Sequence, residues 1–255
     1  MGRNLSQEEL TEHKNAALKK LDAYLTNLIN DQEKKVQSKS DKLSYWLEDW
    51  TTFLDFESEF SPTSLRRYKR GEIVKAHLGY NIGSEEGGLH YCVVIDKNNS
   101  RNSPVVTIVP LTSVKSKTDV EHLHKGSVYL GNELFRNLNS KISYSSKHLM
   151  EELDELEALV KENDLKKSLL DQNISELSEK LAAVNRRMDL LDRMRIEVSK
   201  MRIGSIALVN QIRTISKIRI YDPKTNLDVL SNIKLTNEKL DMIDNEIIHN
   251  FTGCK

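Results

Sequence analysis

Between Leu149 and Leu191 apolar residues recur in alternating steps of four and three: Leu149, Leu153, Leu156, Val160, Leu170, Ile174, Leu177, Leu181, Val184, Met188 and Leu191. Asn163 and Lys167 occupy the two missing steps, and Arg195 breaks the register near its end. Such a seam with charged flanks belongs to a coiled coil or a long packed helix. It also limits the topology. One straight helix from Leu149 to Val198 would carry the chain roughly 75 Å away at about 1.5 Å per residue. If the chain returns to strands begun earlier, the segment must double back. The polar stretch KENDLKK, Lys161 to Lys167, is the expected turn, with Asp164 capping the second arm.

The texture on either side differs. From Ser6 to about Phe60 there is no glycine and no proline. Ala17, Leu21, Tyr24 and Leu28 mark one helical stripe, and Leu43, Leu47, Trp50 and Leu54 a second. The serines of QSKSDK between them suit a break and an N-cap, and Ser61-Pro62 closes the zone. From Arg67 to about Gly131 short β-branched runs appear, EIVKAHL, YCVVI and VVTIVPLT, separated by turn-rich segments. They predict a small barrel or curled antiparallel sheet. Strand texture resumes in SIALVNQIRTI and KIRIYD, and a last amphipathic helix uses Leu235, Leu240, Ile243 and Ile247, with Thr236 as N-cap.

The resulting expectation is an α+β chain. Residues 1–65 form an N-terminal helical region whose stripe covers the insert. Residues 66–132 and 203–255 form one discontinuous β-domain with a C-terminal helix, and 133–202 a coiled-coil or helical-hairpin insertion. Formal net charge is +0, which argues against a protein that wraps nucleic acid by bulk field. The strand zone is locally basic, with ten Lys/Arg against six Asp/Glu between Arg66 and Asn132. Two cysteines, Cys92 and Cys254, are too few for a disulfide framework and point to a reducing, cytoplasmic compartment. MGRNLSQEEL lacks a signal core, and no apolar run approaches a membrane span.

Arg70 to Ile95, RGEIVKAHLGYNIGSEEGGLHYCVVI, followed by SPVVTIVPLTS at Ser103 to Ser113, resembles the MazF/PemK family of toxin endoribonucleases. Gly204 to Ile220, GSIALVNQIRTISKIRI, is similar to that family's second half. The resemblance implies a compact SH3-like antiparallel β-barrel with a C-terminal helix, shared in shape with CcdB toxins, and a homodimer. It also implies metal-independent cleavage of single-stranded RNA and restraint by an antitoxin protein. The family pairs an arginine after the glycine loop with a threonine ending the third strand. The threonine matches Thr112, and His90 stands where the arginine would be.

In metal-free RNA cleavage the ribose 2′-OH attacks phosphorus and the 5′-oxygen leaves, so one proton must be removed and another supplied. Histidine titrates near neutral pH and suits either transfer. His90 is therefore the expected proton carrier, Thr112 a hydroxyl donor to a phosphate oxygen, and Glu85 a proton acceptor or orienting group, with Glu86 only solvated. Gly83, Ser84, Gly87 and Gly88 are expected to cradle a phosphate through backbone N–H groups. Arg70 and Arg213 are expected phosphate contacts. His122 and His124 would share one strand face but lack a third ligand, so neither a metal nor another cofactor is expected. Tyr80 is placed to stack on a base, whereas Tyr91 should point away from His90.

Two functions compete at this level. One is a cytoplasmic endoribonuclease acting as a growth-arresting toxin or phage-defence effector. The other is a non-catalytic MazF-like binding module, or a gyrase-poisoning toxin, whose coiled coil mediates assembly.

Overall fold

A computed structural model describes residues 5–166 and 171–253. The chain divides into two compact units, Met1–Glu59 and Phe60–Lys255.

The first unit is a pair of packed helices, α1 (Gln7–Ile29) and α2 (Lys34–Glu57). A reciprocal capping box opens α1: the Glu9 amide donates to Ser6 Oγ at 3.2 Å and the Ser6 amide to Glu9 Oε2 at 2.7 Å. The break falls at Asn30 to Glu33, not at QSKSDK, which lies inside α2 with Ser40 buried. The reason is local. Asp31 Oδ1 accepts from the Glu33 amide at 2.8 Å, an Asx turn that ends α1 before the serines are reached.

The second unit is built on antiparallel strands: β1 (Ile73–His77), β2 (Leu89–Val94), β3 (Val105–Ser113), β4 (Ser127–Gly131), β5 (Ser205–Leu208), β6 (Arg213–Ser216) and β7 (Ile220–Asp222). The order is β4-β5-β3-β2-β1-β7, with β6 also on β3. Long β3 organises the sheet. It pairs with β2 through Cys92↔Pro110, with β6 through Val106↔Ile215 and with β5 through Thr112↔Ile206. Among the described strands the path ends at β4 and β7, so the sheet is curled and open.

Alternation along the strands sends side chains into two cores. Ile73, Val93, Val109 and Leu111 join one core with the helices; Val74, Ala76, Cys92, Val94, Val106, Ile108 and Ile215 form the other with Leu65 and Tyr68.

Between β4 and β5 runs the insert, α3 (Glu133–Lys166) and α4 (Asp171–Lys200). The strands flanking it are hydrogen-bonded to each other, Ser127↔Leu208 through Gly131↔Ser205, so the insert leaves and returns at one place. It doubles back as the seam requires. Helix α3 continues through Lys166, so Asp164 lies within it and does not cap the second arm. The connection at 167–170 lies outside the described residues. Only alternate members of the seam are fully used. Leu149, Leu156, Val184 and Leu191 are buried between the helices, whereas Leu153, Val160, Leu181 and Met188 remain exposed.

Helix α5 (Asn237–Phe251) follows Thr236, which holds the N-cap position. Its hydroxyl donates to Glu133 Oε2 at 3.1 Å, and its amide to Glu133 Oε1, instead of capping α5. Buried Glu133 thus ties the start of α3 to the start of α5. Beside it, Lys141 Nζ donates to the carbonyls of Asp228, Val229 and Ser231 at 3.1, 2.8 and 2.9 Å.

Candidate functional site

The glycine-rich turn between β1 and β2 is held by its own backbone. The Leu78 amide donates to Gly88 O, and the Gly88 amide to Gly79 O, both at 2.7 Å. Asn81 Nδ2 spans the neck, donating to Glu86 O at 2.6 Å. The glycines serve different needs. Gly83 and Gly88 adopt φ +65° and +85°, which few L-residues tolerate. Gly87 does not; there a Cβ would sit 2.7 Å from Gly79 O, so the turn closes only without a side chain.

His90 follows as the second residue of β2. The paired register with β3 ends at Cys92↔Pro110, and His90 and Thr112 each lie two residues beyond it. His90 Nδ1 is 3.3 Å from Leu111 O and its Nε2 is 3.1 Å from Glu86 Oε1. A carbonyl and a carboxylate only accept, so each ring nitrogen faces an acceptor. The ring is not walled in, since the His90 and Glu86 side chains are each 25% exposed.

The carboxylate that meets His90 is Glu86, not Glu85. The Glu85 amide donates to Ile82 O at 3.3 Å, closing a turn that puts Glu85 at the exposed tip. Glu86 begins the return leg and faces inward.

Arg213 lies on β6, paired with Ile108 on the same face of β3. Gln211 holds it there: Arg213 NH2 donates to Gln211 Oε1 at 3.2 Å, and Nε to Gln211 O at 3.4 Å. The same Gln211 oxygen accepts from the Glu86 amide at 3.2 Å, while its Nε2 donates to Ser84 O at 3.2 Å. Gln211 is therefore a clasp between the turn and β6. The QIRTI stretch had drawn attention to Arg213 but not to the residue two positions before it.

Beneath this group lies Cys92, fully buried. Burial pushes its thiol well above the usual range, Arg213 draws it down and Glu86 pushes it up, so both charges flank one buried point. Burial also lowers the pKa of Arg219, and so does the charge of Arg213. Arg219 was not singled out by sequence; the basic run KIR was its only signal.

Other expected positions lie elsewhere or are differently employed. Arg70 bonds Ile95 O, beyond the far end of β2, and Asp244 of α5. It ties α5 to the sheet and does not face His90. The backbone amides of Glu85, Glu86 and Gly88 are engaged within the protein, so the turn's phosphate cradle is already partly filled. EHLH is loop, not strand: Asp119 accepts from the Glu121 amide at 3.0 Å and from His122 Nδ1 at 2.9 Å, which turns the chain. Among the described residues no group of three or more His, Cys, Asp or Glu is placed to hold a metal. Tyr91 points away from His90, into the core shared with the helices, and its hydroxyl donates to Glu197.

With this geometry in place, residues 69–185 match the family model described as PemK-like, MazF-like toxin of type II toxin-antitoxin system. The matched stretch carries β1 through β4, the turn, His90 and Thr112. It ends before Gly204 to Ile220, which the sheet nonetheless joins to β3 and β4. No curated protein matches the chain.

Proposed function

We propose, for a chain whose residues 69–185 belong to the MazF/PemK-like toxins of type II toxin-antitoxin systems, that the His90 face is a metal-independent endoribonuclease site acting on single-stranded RNA. The curled sheet serves as the family's SH3-like barrel, working as a homodimer in the cytoplasm under restraint by an antitoxin. Toxin-antitoxin toxins of this family are generally ribonucleases, and among the described residues no helix is long and apolar enough to cross a membrane.

One observation carries the reading: the His90 ring bridges the Glu86 carboxylate and the carbonyl of Leu111, the residue before Thr112 in β3. The reaction needs a base for the ribose 2′-OH and an acid for the 5′-oxygen. Glu86 accepts the 2′-hydroxyl proton as the 2′-oxygen bonds to phosphorus. His90 gives its Nε2 proton to the departing 5′-oxygen as the P–O5′ bond breaks. Thr112 donates to a non-bridging oxygen, and Arg213 stabilises the charge that gathers on the phosphate. The products are a 2′,3′-cyclic phosphate and a 5′-hydroxyl. A histidine can hand over a proton that arginine would not readily give up.

The test is to incubate the full chain with a mixed single-stranded RNA in EDTA and map the ends. Cleavage leaving those two ends supports the reading. A folded protein that cuts no RNA under these conditions refutes it and favours the non-catalytic MazF-like module or the gyrase-directed toxin.

A further inference from the structure

The insert carries a second site of a different kind. On α4, Ala183, Arg186, Arg187, Leu190 and Arg193 line an open groove of about 640 Å³ whose far wall is Leu227, from the segment between β7 and α5. Ala183 and Leu190 share one face of α4, with Arg186 and Arg193 along one side and Arg187 along the other. The result is an apolar floor between cationic edges.

Two features set it apart from an ordinary solvated helix face. Leu227 is 70% exposed on the groove's wall, a large apolar side chain left in water. The charge is also one-sided, three arginines against the single carboxylate of Asp189. Arg187 is answered within the chain by Glu152 of α3, whereas Arg186 and Arg193 are exposed and have no ion pair among the described residues. The groove has no aromatic side chain on which a base could stack, which disfavours a nucleic acid strand.

We propose that this groove docks an acidic peptide segment of a partner protein, its leucine-like side chains on Ala183, Leu190 and Leu227 and its carboxylates on Arg186 and Arg193. Apolar burial supplies the affinity, and the paired charges fix register and partner choice. The groove lies between α4 of the insert and Leu227, and shares no residue with the His90 face. A partner held here engages the chain without filling the RNA site, and the proposal stands independently of the nuclease reading.

The test uses a phage-displayed library of 16-residue peptides selected on the full chain and counter-selected on the double variant Arg186→Glu/Arg193→Glu. Both side chains are exposed, so that variant should keep its fold, which its circular dichroism checks; Leu227→Ser provides a second variant outside the helix. The expected survivors are rich in Asp or Glu interleaved with Leu, Ile or Phe. Their affinity should fall at least tenfold in each variant and weaken with salt. Failure to enrich any peptide, survivors without net negative charge, or equal binding to both variants overturns the proposal. So does a 12-nucleotide single-stranded DNA that binds the groove more tightly than the selected peptides.

Discussion

His90 Nε2 and Glu86 Oε1 lie 3.1 Å apart across the neck of the glycine-rich turn, and Glu85, one residue earlier, is exposed at its tip. In the proposed mechanism Glu86 moves a proton, whereas Glu85 only adds surface charge. Glu86→Gln should lower RNA cleavage by about 10²-fold, the usual scale for loss of a general base. Glu85→Gln should leave the rate unchanged. Equal effects in a side-by-side rate assay would remove Glu86 from the mechanism.

Gln211 offers a test of positioning that touches no reacting atom. It holds Arg213 and the Glu86 amide with one carboxamide oxygen. Gln211→Ala should reduce kcat by about tenfold or more through misplacement, with KM for RNA little altered and the melting temperature nearly unchanged. Gln211→Glu keeps the acceptor and should recover part of the loss. A fall in thermal stability matching the fall in activity would make Gln211 merely structural.

Cys92 reports the floor of the site. It is fully buried and burial pushes its thiol well above the usual range. In a Cys254→Ser background a thiol reagent at pH 8 should label the native protein at the rate of opening, far more slowly than the same protein in denaturant. Immediate labelling would mean that the sheet beneath His90 is open.

Lys141 predicts a stability effect far from the chemistry. Its ammonium serves three carbonyls, and burial lowers its pKa to about 8. Lys141→Met leaves those carbonyls without a donor and should cost about 2–4 kcal/mol in denaturant unfolding. The sign of the pH dependence follows from the lowered value. The folded protein binds this proton less tightly than the unfolded chain, so between about pH 8 and the ordinary lysine value of about 10.4 wild type gains stability relative to Lys141→Met as pH rises. A gap between the two proteins that moves the other way across that window would contradict the assignment.

How much of this was legible beforehand depended on how local each signal is. The insert's doubling back and the strand runs were readable because periodicity is written residue by residue, as in Leu149 to Leu191 and VVTIVPLT. Tyr91 pointing away from His90 followed from strand alternation alone. The α1–α2 break was misplaced because the Asp31 turn overrides the serines of QSKSDK. Glu86 reads as solvated in the sequence because a turn's composition does not tell which leg faces inward. Arg70 looked like a phosphate contact because its partner, Asp244, is 174 positions away in the chain. Among the described residues Leu153, Val160, Leu181 and Met188 stay exposed because heptad spacing marks apolar residues and not their neighbours.

The most direct test of the account compares single-turnover cleavage of one single-stranded RNA, in EDTA, by wild type and His90→Ala. If His90 carries a proton in the reaction, the rate should fall by about 10²–10⁴-fold, with the fold intact and the wild-type rate declining on both sides of a pH optimum. Equal rates for the two proteins, or a wild-type rate indifferent to pH, would contradict it.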